Sequence, residues 1–218
     1  MWLTGVSAPA SVAYLETLLS PRALDTDIGE RIARSAIGAI ALHADPSADT
    51  ALTRLLSPGT ARTLRIEAIN GLARARGSDG IDRLLAQIRT EPDATIRRAM
   101  TTAVGEARSP RAVTVLRGLA RDDTDTTVRS EAAYWYVQTA GEPVIAEVLQ
   151  WLPVEKEESV QRRTLSAVLR LPGGAGVTPL IQLARNSTNA RLKVNAVRAL
   201  GESSDARATA FMRELIQN

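Results

Sequence analysis

Residues 192–201 read Leu-Lys-Val-Asn-Ala-Val-Arg-Ala-Leu-Gly, and this pattern recurs along the chain at intervals of thirty-two residues. An aliphatic residue, here called the anchor, stands at the same point of every interval: Ile32, Leu64, Ile96, Val128, Val160 and Leu192. Self-similarity at a fixed period of about 20–50 residues is typical of solenoids. The stretch therefore predicts an array of repeats rather than a single globular domain.

Three further sets of residues follow the anchors in step. Four residues on stand Ala36, Ala68, Met100, Ala132, Thr164 and Ala196, and eight residues on stand Ile40, Leu72, Val104, Tyr136, Val168 and Leu200. Twenty residues on stand Leu52, Leu84, Leu116, Val148, Leu180 and Met212. Glycine or proline breaks the chain between the eighth and the twentieth positions. Because a spacing of four and eight marks one helical face, each repeat is predicted to be a helical hairpin that stacks on its neighbours.

The predicted fold class is all-α, a right-handed α-solenoid (superhelix) of stacked helical hairpins. We expect a single solenoid over residues 1–218, with six repeats and a truncated unit at the N-terminus. Residues 12–19 have the pattern of that unit's second helix, and residues 20–27 lengthen the turn after it. The opening Trp2-Leu3-Thr4-Gly5 matches the end of a first helix, as in residues 199–201. We therefore expect the sequence to be a piece of a longer protein.

Composition limits the chemistry and the partners of the chain. Its pI of 9.8 accompanies a formal charge of only +3, because few groups titrate between pH 7 and 10 in a chain with two lysines and one histidine. The absence of cysteine excludes disulfides and thiolate nucleophiles. No apolar stretch is long enough to span a bilayer. We expect a soluble monomer without membrane insertion, cytoplasmic by default or periplasmic within a longer exported protein.

The repeated motif resembles that of a known family. Residues 93–100, 125–133 and 192–201 combine an acid or polar residue, an aliphatic-basic pair and an alanine-rich helix. In this they resemble HEAT repeats, and more narrowly the short bacterial form also found in phycobilisome-lyase-like proteins. The resemblance covers essentially the whole chain. It implies an α-solenoid, but members of the family range over scaffolds, adaptors, lyase subunits and a few enzymes, so the shared fold does not transfer a function.

A basic residue follows the anchor in four repeats: Arg65, Arg97, Arg129 and Lys193. Helical phasing places this position in the same arc as the apolar residues, so the stem of the side chain is predicted to be buried. Its head group is then expected to pair with acids in the turns between repeats, such as Asp93 and Asp125. These residues are accordingly interpreted as structural rather than as a surface for an anionic ligand.

The outward face of the second helices is the predicted partner-binding surface, because in HEAT-like arrays this face lines the concave side. Its polar and mildly basic side chains are Arg54, Arg89, Arg121, Gln150, Gln182 and Arg185. The alternative is a solvated face without function. A second candidate is Tyr134, in a repeat where bulky residues replace small ones and Trp151 takes a leucine position. Either these residues fill space left in the next repeat, or Tyr134 is an exposed anchor for a partner.

The sequence gives little indication of catalysis. The single histidine, His43, stands at the end of a first helix and is interpreted as a helix cap. HEAT-like hydroxylases that hold iron need several His-Glu pairs, which one histidine does not supply. Residues 173–176 make a weak phosphate-loop pattern after a helix, and Glu155, Glu157 and Glu158 precede the next helix, where acids favour the helix dipole. We therefore predict no catalytic residue, no metal and no cofactor.

The function predicted from the sequence is a non-enzymatic scaffold that binds a peptide or partner domain on its concave face. The first alternative is nucleic-acid or phosphate binding through Arg54, Arg89, Arg121 and Arg185, which the small net charge and the few aromatic residues disfavour. The second alternative is an accessory subunit of the chromophore-lyase type, which only the family resemblance supports.

Overall fold

The chain is entirely helical in the computed structural model, which describes residues 5–20 and 25–217. Thirteen α-helices and three short 3-10 helices are present in these ranges, without a β-strand. They form two compact units, Met1–Ala107 and Arg108–Asn218. The all-α prediction is confirmed, whereas a single solenoid over residues 1–218 stays a prediction. Trp2, Leu3 and Thr4, and residues 21–24 of the lengthened turn, lie outside the described residues.

Unit 1 consists of stacked helical hairpins. The first helices of its repeats are α2 (Asp27–Leu42), α4 (Arg62–Ala75) and α6 (Ala94–Glu106). The second helices are α1 (Ala8–Thr17), α3 (Pro46–Leu55) and α5 (Gly77–Gln87), where α1 belongs to the truncated unit. Helix α4 packs on α2 and α6, and α3 and α5 both pack against α4.

Unit 2 has the same construction. Its first helices are α8 (Thr126–Ala140), α10 (Glu158–Leu169) and α12 (Ala190–Gly201). Its second helices are α7 (Val113–Asp122), α9 (Ile145–Trp151), α11 (Val177–Asn186) and α13 (Ala206–Gln217). A short 3-10 helix precedes each of α7, α9 and α11, at Pro110–Ala112, Glu142–Val144 and Pro172–Gly174. Helix α10 packs between α8 and α12, and α12 also packs on α11 and α13.

The repeat pattern correctly predicts the core of both units. Five of the six anchors are at most 3% exposed, and the residues four and eight places later are buried in every repeat. Ile32 is the exception, since it is 46% exposed. The buried face of α2 is formed instead by Ala33, Ala36 and Ile37, and no first helix precedes α2 among the described residues to cover Ile32.

In one hairpin of each unit, the second helix closely approaches the first at a position sixteen residues after the anchor. This position carries a small residue in five of six repeats: Ala48, Gly80, Ala112, Gly176 and Ala208, with Val144 in the remaining one. A Cβ atom added to Gly80 would lie 2.0 Å from the carbonyl oxygen of Leu72, and one on Gly176 would lie 2.0 Å from that of Val168. The two helices therefore approach so closely at these glycines that no side chain fits.

Arg65 and Arg129, two of the four basic residues that follow an anchor, are structural, but their acidic partners differ from those predicted. Arg65 pairs with Glu91 and donates from Nε to the carbonyl of Leu56 at 3.0 Å. Arg129 pairs with Glu155, and both side chains are nearly buried. Asp93 and Asp125 instead cap helices, because Oδ1 of each accepts amide hydrogens from the first turn of α6 or α8. Glu91 and Glu155 each stand two residues before the N-cap of the next first helix, and they pair with the arginine in place of the capping residue.

Gln161 stands where other repeats carry the basic residue, and it has the same structural role. Its Nε2 donates to the carbonyl oxygens of Leu152 at 3.2 Å and Glu155 at 2.8 Å, and the side chain is fully buried. Its Oε1 accepts a hydrogen bond from Asn195 at 3.2 Å. A neutral amide therefore ties the end of one second helix to the next first helix without any buried charge.

Candidate binding site

The predicted partner-binding residues lie in both units and are largely exposed. In unit 1, Arg54 on α3 forms an ion pair with Glu16 on α1, and Arg89 lies in the turn after α5 rather than on a helix. In unit 2, Arg185 pairs with Glu214 and its guanidinium carbon lies 5.4 Å from the centre of the Phe211 ring. Gln150 and Gln182 are exposed on α9 and α11.

These contacts bear on the nucleic-acid alternative. Arg54 and Arg185, two of the four arginines proposed for it, already face carboxylates on a neighbouring second helix. An exposed ion pair stabilises the fold by only about 0–1 kcal/mol, but it lowers the local positive charge that phosphate binding requires. The second-helix faces of the two units are therefore mixed in charge rather than continuous basic surfaces.

A cleft of about 390 Å³ in unit 2 brings together residues from four helices, and we call it the Trp151 cleft. It lies where α7 and α9 end and where α8 and α10 begin. Its apolar walls are contributed by Ala120, Ala133, Trp151, Leu152, Val154 and Val160. Its charged lining residues are Arg121, Asp122, Asp123, Arg129, Glu155, Lys156 and Glu157. Such a combination of apolar walls and a few polar groups is typical of ligand sites.

A hydrogen-bonded network holds the aromatic wall of the Trp151 cleft. The hydroxyl of Tyr136 donates to Glu147 at 3.1 Å, and Nε of Arg117 donates to the same carboxylate at 2.6 Å. The Tyr136 ring lies 5.9 Å from that of Trp151 at an angle of 49°. Burial, and then the hydrogen bond to Glu147, raises the pKa of Tyr136, so its hydroxyl keeps the proton that it donates. The network fixes the Tyr136 ring, against which the Trp151 indole packs.

Arg129 and Glu155, which also line the cleft, form an ion pair with two contacts. Nε and one terminal nitrogen of Arg129 lie 3.2 and 3.3 Å from the two carboxylate oxygens of Glu155. Arg129 also donates to the carbonyl oxygen of Asp123 at 2.9 Å. Because both side chains are well shielded from solvent, this pair is better defined than an exposed ion pair.

The mouth of the cleft carries cations that are available to a ligand. Arg121 lies with its guanidinium carbon 5.9 Å from the centre of the Trp151 ring, and Lys156 is exposed on the turn before α10. Neither forms an ion pair with a carboxylate in the described part of the chain. Val154, in the same turn, is 79% exposed. A partner can therefore meet both charge and apolar surface here.

Tyr134, the predicted aromatic anchor, lies outside this cleft on α8. Its ring meets that of Trp135 edge to face, with 5.1 Å between centres, and the guanidinium carbon of Arg163 lies 4.1 Å from the Tyr134 centre. Arg163 is held by Glu131, which also accepts a hydrogen bond from Trp135 at 2.7 Å. Tyr134 is half-buried and covered on one face by a cation. Its role as an anchor stays a prediction.

The sequence-based prediction missed Lys156, Val154 and Ala133 as members of a site. Two signals were present in the sequence: Trp151 occupies a leucine position, and Ala133 stands where Ile37, Ile69 and Leu165 fill the core of other repeats. His43, in contrast, is the C-cap residue of α2, as predicted. No group of three or more His, Asp or Glu side chains in the described residues is arranged to hold a metal ion.

Both units are stacks of helical hairpins, which defines the class of α-solenoid repeat proteins. The family model for HEAT repeats matches residues 50–135, which confirms the predicted resemblance to HEAT repeats for that part of the chain. The narrower likeness to the phycobilisome-lyase-like form stays a prediction. Comparison with curated proteins gives no significant match. No helix in the described residues is long and apolar enough to cross a membrane.

Among solved structures, human deoxyhypusine hydroxylase in complex with glycerol is similar to this chain, with a TM-score of 0.49 and 12% identity. The alignment covers 95% of this chain and 90% of the hydroxylase. That protein is an enzyme, so the comparison contradicts our sequence-based prediction of a non-enzymatic scaffold. The physical reason is that a repeat architecture does not itself exclude catalysis. The likeness assigns neither an activity nor a substrate to this chain.

Proposed function

We propose that the chain recognises a peptide segment of a partner protein in the Trp151 cleft of unit 2. The observation that carries this proposal is a partly exposed indole at the wall of a cleft, which packs against the Tyr136 ring while the Tyr136 hydroxyl is bonded to Glu147. Tryptophan is among the residues that dominate the energy of protein interfaces. A wall that is already ordered also loses less side-chain entropy on binding.

The lining residues define the chemistry of the segment. An apolar side chain of the partner enters the cleft and packs against Trp151, Leu152 and Val160. Arg121 and Lys156 donate to a carboxylate or to backbone carbonyls beside that side chain, while Asp122 and Glu157 accept from backbone amides. Mixed charge at the mouth favours a peptide with polar groups of both kinds over a polyanion such as duplex DNA.

Selection from a displayed peptide library, followed by fluorescence titration, tests the proposal. Replacing Trp2 and Trp135 by phenylalanine leaves Trp151 as the only indole, so the emission reports directly on the cleft. We expect the selected peptides to share one apolar residue flanked by polar ones and to shift the Trp151 emission. Arg121→Ala and Lys156→Ala together, both at exposed positions, should weaken binding about tenfold, the effect of losing 1.4 kcal/mol.

Matched controls separate the cleft from the rest of unit 2. Because Trp151→Ala removes the fluorescent reporter, binding by the variants is followed through a dye on the peptide. Trp151→Ala should abolish peptide binding, whereas Trp135→Ala, on another face of the same unit, should leave it unchanged. The thermal unfolding of each variant shows whether the fold survives. Equal binding by the wild type and Trp151→Ala would contradict the proposal. Salt-dependent binding of duplex DNA, displacing the peptide, would instead favour the nucleic-acid alternative.

A further inference from the structure

A second depression in unit 2, which we call the arginine groove, is distinct in composition from the Trp151 cleft. It has a volume of about 370 Å³ and lies along α8, α10 and α12. Three arginines and three serines contribute most of its polar surface: Arg162, Arg163, Arg198, Ser130, Ser159 and Ser166. Residues 159, 162, 163 and 166 share one face of α10 because their spacing follows the helical repeat.

The guanidinium groups in the arginine groove have few hydrogen-bond partners. Arg162 has only Glu158, with 3.8 Å between Nε and Oε1, and Arg163 donates to Glu131 at 3.3 Å. Arg198 has two contacts of 3.5 Å, with Glu158 and Asn195. Charge-assisted hydrogen bonds are normally about 2.7–2.9 Å long, and each guanidinium has five donors. Most of the donor capacity in the groove is therefore unused.

One carboxylate oxygen marks the point where two of these cations converge. Oε1 of Glu158 lies 3.8 Å from Nε of Arg162 and 3.5 Å from a terminal nitrogen of Arg198. The Glu158 side chain is nearly half exposed, so it can turn into solvent when a ligand binds. The hydroxyls of Ser130 and Ser159 have no hydrogen-bond partner in the described part of the chain. An external oxyanion that replaces this carboxylate would meet arginines from two helices and adjacent hydroxyls.

We infer that the arginine groove binds a phosphomonoester group. Three guanidiniums from two helices, with hydroxyls beside them, match a ligand that offers three terminal oxygens, whereas a carboxylate offers only two. Glu131 and Glu158 offset part of the positive charge in the free protein, and Glu202 lies at the edge of the groove. Binding therefore requires the ligand to displace Glu158. The inference is independent of the Trp151 cleft.

Titration with two probes, followed through the arginine Nε–H signals in NMR spectra, tests this site. Inorganic phosphate and a short phosphoserine peptide carry the same group, and the unphosphorylated peptide is the blank. We expect Arg162 and Arg198 to shift with both phosphates. Tighter binding of the phosphopeptide identifies a modified protein as the source, and tighter binding of inorganic phosphate identifies a small phosphate compound.

Substitutions at exposed positions test whether the residues of the arginine groove bind the phosphate. Arg162→Gln and Arg198→Gln should each weaken phosphate binding about tenfold, while Arg213→Gln on α13 should have no effect. Glu158→Gln should strengthen binding, because it removes the carboxylate that competes with the ligand. The inference is overturned if the arginine signals do not move, or if Arg213→Gln weakens binding as much as Arg162→Gln. Weaker binding by Glu158→Gln would also overturn it.

Discussion

The buried pair of Arg65 and Glu91 provides the sharpest test of how the repeats are held together. The two side chains are 4% and 1% exposed. Glu91→Ser removes the carboxylate and leaves a buried guanidinium with only the carbonyl of Leu56 as a partner. Removing one member of a buried ion pair costs about 3–5 kcal/mol, because the remaining charge is uncompensated. We expect a loss of this size in the free energy of unfolding.

Another repeat of the same chain shows which second substitution should compensate for Glu91→Ser. Three repeats further on, Gln161 replaces the arginine and Ser187 replaces the acid, and both are accommodated. Ser187 accepts the amide of Asn189 at 3.2 Å, just as Glu91 accepts that of Asp93 at 3.0 Å. Adding Arg65→Gln to Glu91→Ser copies this neutral pair. The double variant should lose only about 1 kcal/mol, the cost of an amide oxygen that lacks the partner Asn195 provides.

Urea unfolding followed by circular dichroism measures these differences. Glu30→Ser is the control, since it breaks the exposed pair with Arg34 in the same unit and should cost no more than about 1 kcal/mol. The reasoning is refuted if the double variant is as unstable as Glu91→Ser alone. It is equally refuted if Glu91→Ser costs no more than Glu30→Ser, since the buried charge would then carry no penalty.

Three further predictions concern packing and ionisation in unit 2. Leu116→Ala should lower the free energy of unfolding by about 2–5 kcal/mol, because this side chain is fully buried, whereas Leu215→Ala at a 46% exposed position should cost far less. Gly176→Ala should cost about 1–3 kcal/mol through overpacking, and wild-type stability would contradict the close helix crossing. Hydrogen bonds from Arg207 lower the pKa of Asp205 from 3.8 to about 2. Ionised Asp205 thus stabilises the fold above pH 3.8, and this contribution is lost as the pH falls through 2; an NMR midpoint near 3.8 would contradict it.

The period of the sequence predicts the fold because the same positions are buried in each repeat. Leu64, Ile96 and Val128 are all buried, and Leu64 lies on α4, which packs between α2 and α6. Ile32 has the right residue type but lacks part of that cover. A sequence pattern reports which residue types suit a buried position, and the neighbouring helix decides whether burial occurs.

The candidate site was harder to predict, for a physical reason. The sequence predicts that arginines on the second helices bind a partner, yet the contacts of Arg54 and Arg185 lie across helices and follow no short sequence spacing. The same holds for Glu91, which sequence spacing did not distinguish from the neighbouring cap Asp93. Side-chain pairing between repeats depends on where each turn points its carboxylates, which periodicity does not specify.

The Trp151 cleft lies where the fourth repeat carries a small side chain, Ala133, at a core position, and not at an added sequence motif. Ala133 lacks most of the side chain that Ile37, Ile69 and Leu165 supply at the same position in other repeats. A missing side chain in a core is ordinarily destabilising, because the surroundings close only in part. Here Trp151 and the ion pair between Arg129 and Glu155 border the space. An apolar side chain of a ligand can therefore fill the space left by the fourth repeat, which is why we propose the binding site at a departure from the repeat rather than in the repeat itself.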